Sequence, residues 1–187
     1  MRKIAIAAVM TALTGLGLVV PAAAGATTSS AARPAAVAAR SCDLHWGSTP
    51  RHAGAMVQAK VRHVRAGQHA CFDRLVIDIG QGARPGYRVR YVHRIISDAS
   101  GRVIKVAGKA KLLINVLAPA AASFPASSHH LVNVRGFSAF RQVAGAGSFE
   151  GVTSVGVGLR ARLPFRVLEL RDPGHRTRLV VDVAHHW

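Results

Sequence analysis

The chain has 187 residues, with 25 Lys and Arg against 8 Asp and Glu, for a formal charge of +17 with His neutral. That length fits one domain with appendages. The acidic residues include only two Glu, which starves a zinc hydrolase of ligands and base.

Arg2 and Lys3 open the chain, Ile4 to Val20 is apolar, and Pro21 leads into small residues that offer A-x-A cleavage patterns ending at Ala24 or Ala26. This pattern predicts a secretory signal peptide over residues 1–26, with a retained anchor as the alternative. No Cys follows the apolar run at once, so a lipoprotein anchor is not expected. No later run is long and apolar enough to span a bilayer, so no stable membrane insertion is expected after cleavage. Residues 27–41, "TTSSAARPAAVAARS", are small and polar with no apolar face at any period, which predicts a flexible leader. The folded domain is expected over residues 42–187. Without Arg2 and Lys3, 23 basic residues face 8 acidic ones, a net of +15. Such a field attracts polyanions. Outside a cell these are wall phosphates, peptidoglycan carboxylates and lipid headgroups rather than nucleic acid. A genomic bias toward Arg is the alternative reading of the charge.

Cys42 and Cys71 are the only cysteines. In an oxidising compartment they allow one intrachain disulfide, and two buried thiols are the alternative. From Met56 onward the apolar residues alternate, which is the strand signal. Strands are expected at "VQAKVRHV", "FDRLVIDI", "YRVRYVHRI", "RVIKVAG", "AKLLINVL", "HLVNVRGF", "GVTSVGVGLR", "FRVLEL" and "RLVVDV". Turn residues separate them in "GQGARPG", "DASG" and "RDPGH". A helical turn fits only at Pro119–Phe124 or Ser138–Val143. The expected fold is all-β: a two-sheet antiparallel β-sandwich of about eight to nine short strands with little helix. Aromatics are 5% of the chain, so its core should be aliphatic.

"RLVIDI" (Arg74–Ile79) returns as "RLVVDV" (Arg178–Val183) about a hundred positions later. In each copy Arg, the middle Val and Asp share one strand face and the branched residues share the other. This predicts two equivalent half-buried strands, with Asp78 and Asp182 paired to Arg on neighbouring strands. A catalytic carboxylate pair is the competing reading.

No catalytic motif emerges. H-E-x-x-H and G-x-S-x-G are absent, and "GQGARPG" precedes a strand rather than the helix a phosphate loop needs. The adjacent pairs His129-His130 and His185-His186 point to opposite strand faces and do not readily grip one metal ion, so surface His is expected. No catalytic residue, metal or cofactor is expected. Two ligand candidates remain. Arg88, Arg90 and Arg94 fall on one face of "YRVRYVHRI", spaced to follow an anionic chain, while Tyr87 and Tyr91 face the core. "GAGSFEGVTSVGVGLR" gathers glycines around Phe149, Glu150 and Arg160 and reads as either tight sheet packing or a shallow groove for an extended polymer.

The segments "CDLHWGS", "HACFDRLVID", "PGYRVRYV", "GSFEGVTSVGVGLR", "PFRVLELRDP" and "RLVVDVAH" together resemble the AMIN-like domain of secreted proteins from high-GC Gram-positive bacteria. The resemblance runs from about Cys42 to His185. It implies that the Cys before W-G-S pairs with the Cys before the aromatic-Asp-Arg, here Cys42 with Cys71. The segments are more distantly similar to AMIN domains of cell-wall amidases and pilus secretins, which are two-sheet, non-catalytic and localise their hosts to peptidoglycan. No amidase segment accompanies them here, so delivery of a catalytic neighbour on the same chain is not expected. The expected function is that of a secreted, non-enzymatic protein of the cell envelope whose partner is an anionic wall polymer. The alternatives are a surface protein–protein interaction module and an unrecognised wall hydrolase. The sequence does not set the oligomeric state.

Overall fold

The computed structural model describes Cys42 and residues 44–187. The expected signal peptide and the expected leader both fall on residues 1–41, outside the described part. Eleven strands occur among the described residues: β1 (Arg51–Ala53), β2 (Val61–Gln68), β3 (Phe72–Gln81), β4 (Tyr87–Val92), β5 (Ile95–Ile96), β6 (Val103–Ile104), β7 (Ala110–Val116), β8 (Phe140–Phe149), β9 (Val152–Leu159), β10 (Phe165–Arg171) and β11 (Arg176–Ala184). They form a five-stranded sheet β1-β4-β7-β9-β8, a four-stranded sheet β10-β11-β3-β2 and the ribbon β5-β6. Every strand pairing is antiparallel. The two main sheets enclose an aliphatic core, as period-two alternation requires. Leu75, Ile77, Ile79, Leu179, Val181 and Val183 meet Val89, Leu112, Ile114, Val155, Val157 and Leu159 there, none more than 1% exposed. No helix occurs among the described residues, so none is long and apolar enough to cross a membrane.

The repeated hexapeptide forms the two central strands of the four-stranded sheet. β3 and β11 run antiparallel, so Arg74 lies opposite Asp182, Val76 opposite Val180, and Asp78 opposite Arg178. One motif read in opposite directions therefore sets Arg against Asp at both ends. Asp182 is fully buried and receives two hydrogen bonds from Arg74, at 2.7 and 2.9 Å, and one from Arg166 at 2.9 Å. Asp78 takes another partner: Arg65 of β2 binds both its oxygens, at 2.6 and 2.7 Å. Arg178 turns to Asp172 instead. These bonds hold Arg74 and Arg65 in the charged form, which raises both guanidinium pKa values.

The expected strand at residues 130–137 is a series of turns. Asn133 Oδ1 accepts the Arg135 N–H at 3.0 Å, an Asx turn that wins over the apolar alternation. This segment and its approach instead cover the free edge of β8: Gly145 N–H donates to Ser128, Gly147 to Ala126, and Leu131 to Val143. β8 itself replaces the helical turn expected at Ser138–Val143. Its small residues follow from what lies over them, because Ala144 and Ala146 pack with Ile95, Val106 and Leu113 in a second apolar cluster beneath the β5-β6 ribbon. The ribbon and the segment that follows it account for the glycines of β9. A Cβ on Gly158 would lie 1.7 Å from the Ala107 carbonyl, and one on Gly156 would lie 2.9 Å from Ile95. Gly156 and Gly158 are thus covered by Ile95 of the ribbon and by Val106 and Ala107 after it, rather than open as a groove.

Candidate functional site

β4 carries the first candidate residues. Tyr87, Val89 and Tyr91 point into the sandwich, which leaves Arg88 and Arg90 exposed on the outer face. The expected row of three is broken at its end. β4 stops at Val92, the chain bends at His93-Arg94, and Ile95 turns back to bury itself, 1% exposed, in the second cluster. Arg94 is therefore not the next rung after Arg90 on a straight strand. The bend instead places Arg90, His93 and Arg94 around one depression of about 580 Å³, floored by Val92 and Leu113. A second depression of about 230 Å³ shares Tyr91, Val92 and His93 with it and adds Lys109, Lys111 and Arg162. The two depressions meet at Tyr91, Val92 and His93 and together, as the groove beside β4, carry five Lys and Arg side chains and a single carboxylate, Asp98.

The cations differ in how far they are engaged. Lys111 Nζ donates to the Gly108 carbonyl at 2.6 Å. Arg162 donates to Ser48 and lies over the Tyr91 ring at 4.9 Å. Asp98 is held by the Ser154 hydroxyl at 2.9 Å, and Ser154 accepts from Asn115. Arg90, Arg94 and Lys109 have no carboxylate partner among the described residues and stay available to an anion. Tyr91 fixes one wall: its hydroxyl donates to the Leu163 carbonyl at 2.7 Å and accepts the Leu163 N–H at 2.9 Å. Burial pushes its phenol pKa up, against the lowering effects of the Leu163 bond and of Arg162.

The other candidates lie elsewhere. Phe149 and Glu150 sit at the β8-β9 turn, whereas Arg160 follows the far end of β9. Eight strand residues separate them, a span of roughly 26 Å. Glu150 and Gly151 have φ of 46° and 79°, the type I′ pattern of a two-residue hairpin. Arg160 is turned inward, donating to the His185 carbonyl.

Sequence reasoning missed the buried cluster beside the disulfide. Cys42 and Cys71 are joined, with Cα atoms 5.3 Å apart. The bond anchors the segment that lays Trp46 over Arg166, 4.3 Å from ring centroid to guanidinium, so that Trp46 and Phe72 pack on the arginine that binds Asp182. On the inward face of β3, fully buried Asp73 accepts the Ala139 and Phe140 N–H groups at 2.6 and 2.9 Å and meets His185 Nε2 at 2.9 Å. His185, expected at the surface, is only 7% exposed. The signal was present in the alternation: Asp73 precedes Leu75, Ile77 and Ile79, and His185 follows Leu179, Val181 and Val183, each on the inward phase.

A family model for the AMIN-like domain matches residues 59–185. The chain belongs to the AMIN-like domain family. No curated protein and no solved structure matches it significantly. The matched span of this AMIN-like domain contains both main sheets except β1, and the whole groove. The Cys42 segment that lays Trp46 on Arg166 lies outside that span.

Proposed function

We propose that this AMIN-like domain is a secreted, non-enzymatic module that binds an anionic cell-wall polymer, peptidoglycan or teichoic acid, in the groove beside β4. Family membership suggests a cell-wall-associated module of a generally non-catalytic kind. The observation that carries the polymer reading is the groove's charge: five cations to one carboxylate, with Arg90, Arg94 and Lys109 unpaired among the described residues. Arg can grip carboxylate or phosphate bidentately, and an open groove admits an extended chain without enclosing its ends. The one buried His–carboxylate pair among the described residues, Asp73–His185, offers no support for hydrolysis. Its carboxylate is occupied by two backbone N–H groups and the imidazole, and both cysteines are oxidised.

The test is co-sedimentation of the purified domain with isolated sacculi, before and after chemical removal of phosphate polymers, with the supernatant assayed for released fragments. Pelleting without release supports the reading, and the two sacculus preparations tell carboxylate from phosphate ligands. Release of wall fragments, or failure to pellet with either preparation at low salt, contradicts it.

A further inference from the structure

A second basic site lies on the other sheet, at the level where β3 ends. Two strand irregularities flank that level. The register of β2 against β3 shifts between Val61 and His63, and that of β11 against β3 shifts between Arg176 and Thr177. Bulges re-aim side chains, and these bring Arg62 and Arg176 to one cleft from opposite sides of β3. Arg62 lies across β3, where a Cβ on Gly80 would come within 3.1 Å of its Nε. The cleft has a volume of about 290 Å³.

Four arginines line it against two carboxylates. Arg65 is matched to Asp78 through both oxygens, and Arg178 is paired with Asp172. Arg62 and Arg176 have no partner among the described residues, which leaves a net charge of +2 before any proton on His63. Arg178, on the same wall, also keeps a buried Nε without a hydrogen-bond partner. Such orphans are rare in folded proteins, and an absent ion is one of their physical explanations.

We infer that this cleft binds a phosphate dianion, either free or as a phosphate monoester, between Arg62 and Arg176. Phosphate carries about −1.5 to −2 at neutral pH and presents three or more acceptor oxygens. That matches the unneutralised charge and the number of unanswered donors better than a carboxylate, which brings one charge. The site is separate from the β4 groove, on a different sheet and with no residue in common.

The experiment measures inorganic phosphate binding to the exported, disulfide-bonded protein by phosphorus NMR line width and by the thermal midpoint, at constant ionic strength. Glycerol 1-phosphate, a phosphodiester and acetate serve as comparison ligands. Phosphate and the monoester should bind, the diester more weakly, and acetate not measurably. Arg62→Gln and Arg176→Gln should each weaken phosphate binding about tenfold or more, the loss of one charge-assisted hydrogen bond. Neither arginine holds a structural partner, so both variants should keep the wild-type urea midpoint. A variant with Arg90, Arg94 and Lys109 changed to Gln should bind phosphate as the parent does. Undiminished phosphate binding in the Arg62→Gln, Arg176→Gln double variant would overturn the inference. Acetate or diester binding equal to phosphate would overturn the dianion assignment.

Discussion

The twice-used hexapeptide offers a comparison in which local sequence is nearly constant and burial is not. Asp182→Ala removes a carboxylate with no exposed surface and strips three hydrogen bonds from Arg74 and Arg166. Breaking a buried pair in this way costs about 3–5 kcal/mol. The lower end applies here, because the Arg74 and Arg166 side chains are 27% and 38% exposed and can recover some hydration. Asp78→Ala breaks a pair that is 25% exposed on the acid and 57% on Arg65. Exposed pairs are worth about 0.2–1 kcal/mol. For a domain of this size each kcal/mol shifts the thermal midpoint by roughly 2–4 °C. Asp182→Ala should therefore lower the midpoint by roughly 6–12 °C and Asp78→Ala by less than about 4 °C. Urea titration checks that the slope is unchanged and the loss is one of stability. Equal losses for the two variants, or an Asp182→Ala protein as stable as its parent, would refute the assignment of Asp182 as the buried anchor of that face.

Tyr91→Phe leaves the buried Leu163 N–H and carbonyl without the hydroxyl that serves both, and should lower stability by about 1–3 kcal/mol in urea titration. Because burial raises the Tyr91 phenol pKa in the folded state, its contribution is present below about pH 10 and is lost as pH rises through the folded value. The alkaline decline in stability should be shallower in Tyr91→Phe, with a residual slope from Tyr87, whose pKa is also raised, chiefly by burial. Glu150→Gly relieves a non-glycine residue held at a φ of 46°, and should raise stability by up to about 1 kcal/mol without altering wall binding. Thiol alkylation of the native protein should add no mass, because Cys42 and Cys71 are joined. Replacing both with Ser should lower stability by roughly 3–4 kcal/mol, from a loop of 29 residues.

The sequence made the sandwich legible where branched residues alternate, as in β3, β7, β9 and β11. It hid β8, whose Gly and Ala residues carry no strand propensity and are small because the β5-β6 ribbon lies on them. It also suggested a strand at 130–137 that the Asn133 turn cancels, since a local side-chain bond there competes with the ladder. The site was half legible. Alternation placed Arg88 and Arg90 outward, but the bend that gathers Arg90, His93 and Arg94 comes from the burial of Ile95 against Gly156. That contact joins positions about sixty residues apart, which no local pattern encodes. Lys109 and Arg162 reach the groove by the same kind of non-local pairing. Phe149, Glu150 and Arg160 were adjacent in one motif but lie at opposite ends of a strand.

The groove's role is tested most directly by co-sedimentation with sacculi of a variant carrying Arg90→Gln, Arg94→Gln and Lys109→Gln, across a salt series. None of the three has an ion-pair partner among the described residues, so the variant should unfold at the parent's urea midpoint. The parent should pellet at low salt and be released as salt rises, because exposed charges are screened over about 8 Å at physiological ionic strength. The triple variant should remain largely in the supernatant at every salt concentration. A folded triple variant that pellets like its parent, with the same salt dependence, would contradict binding through this groove.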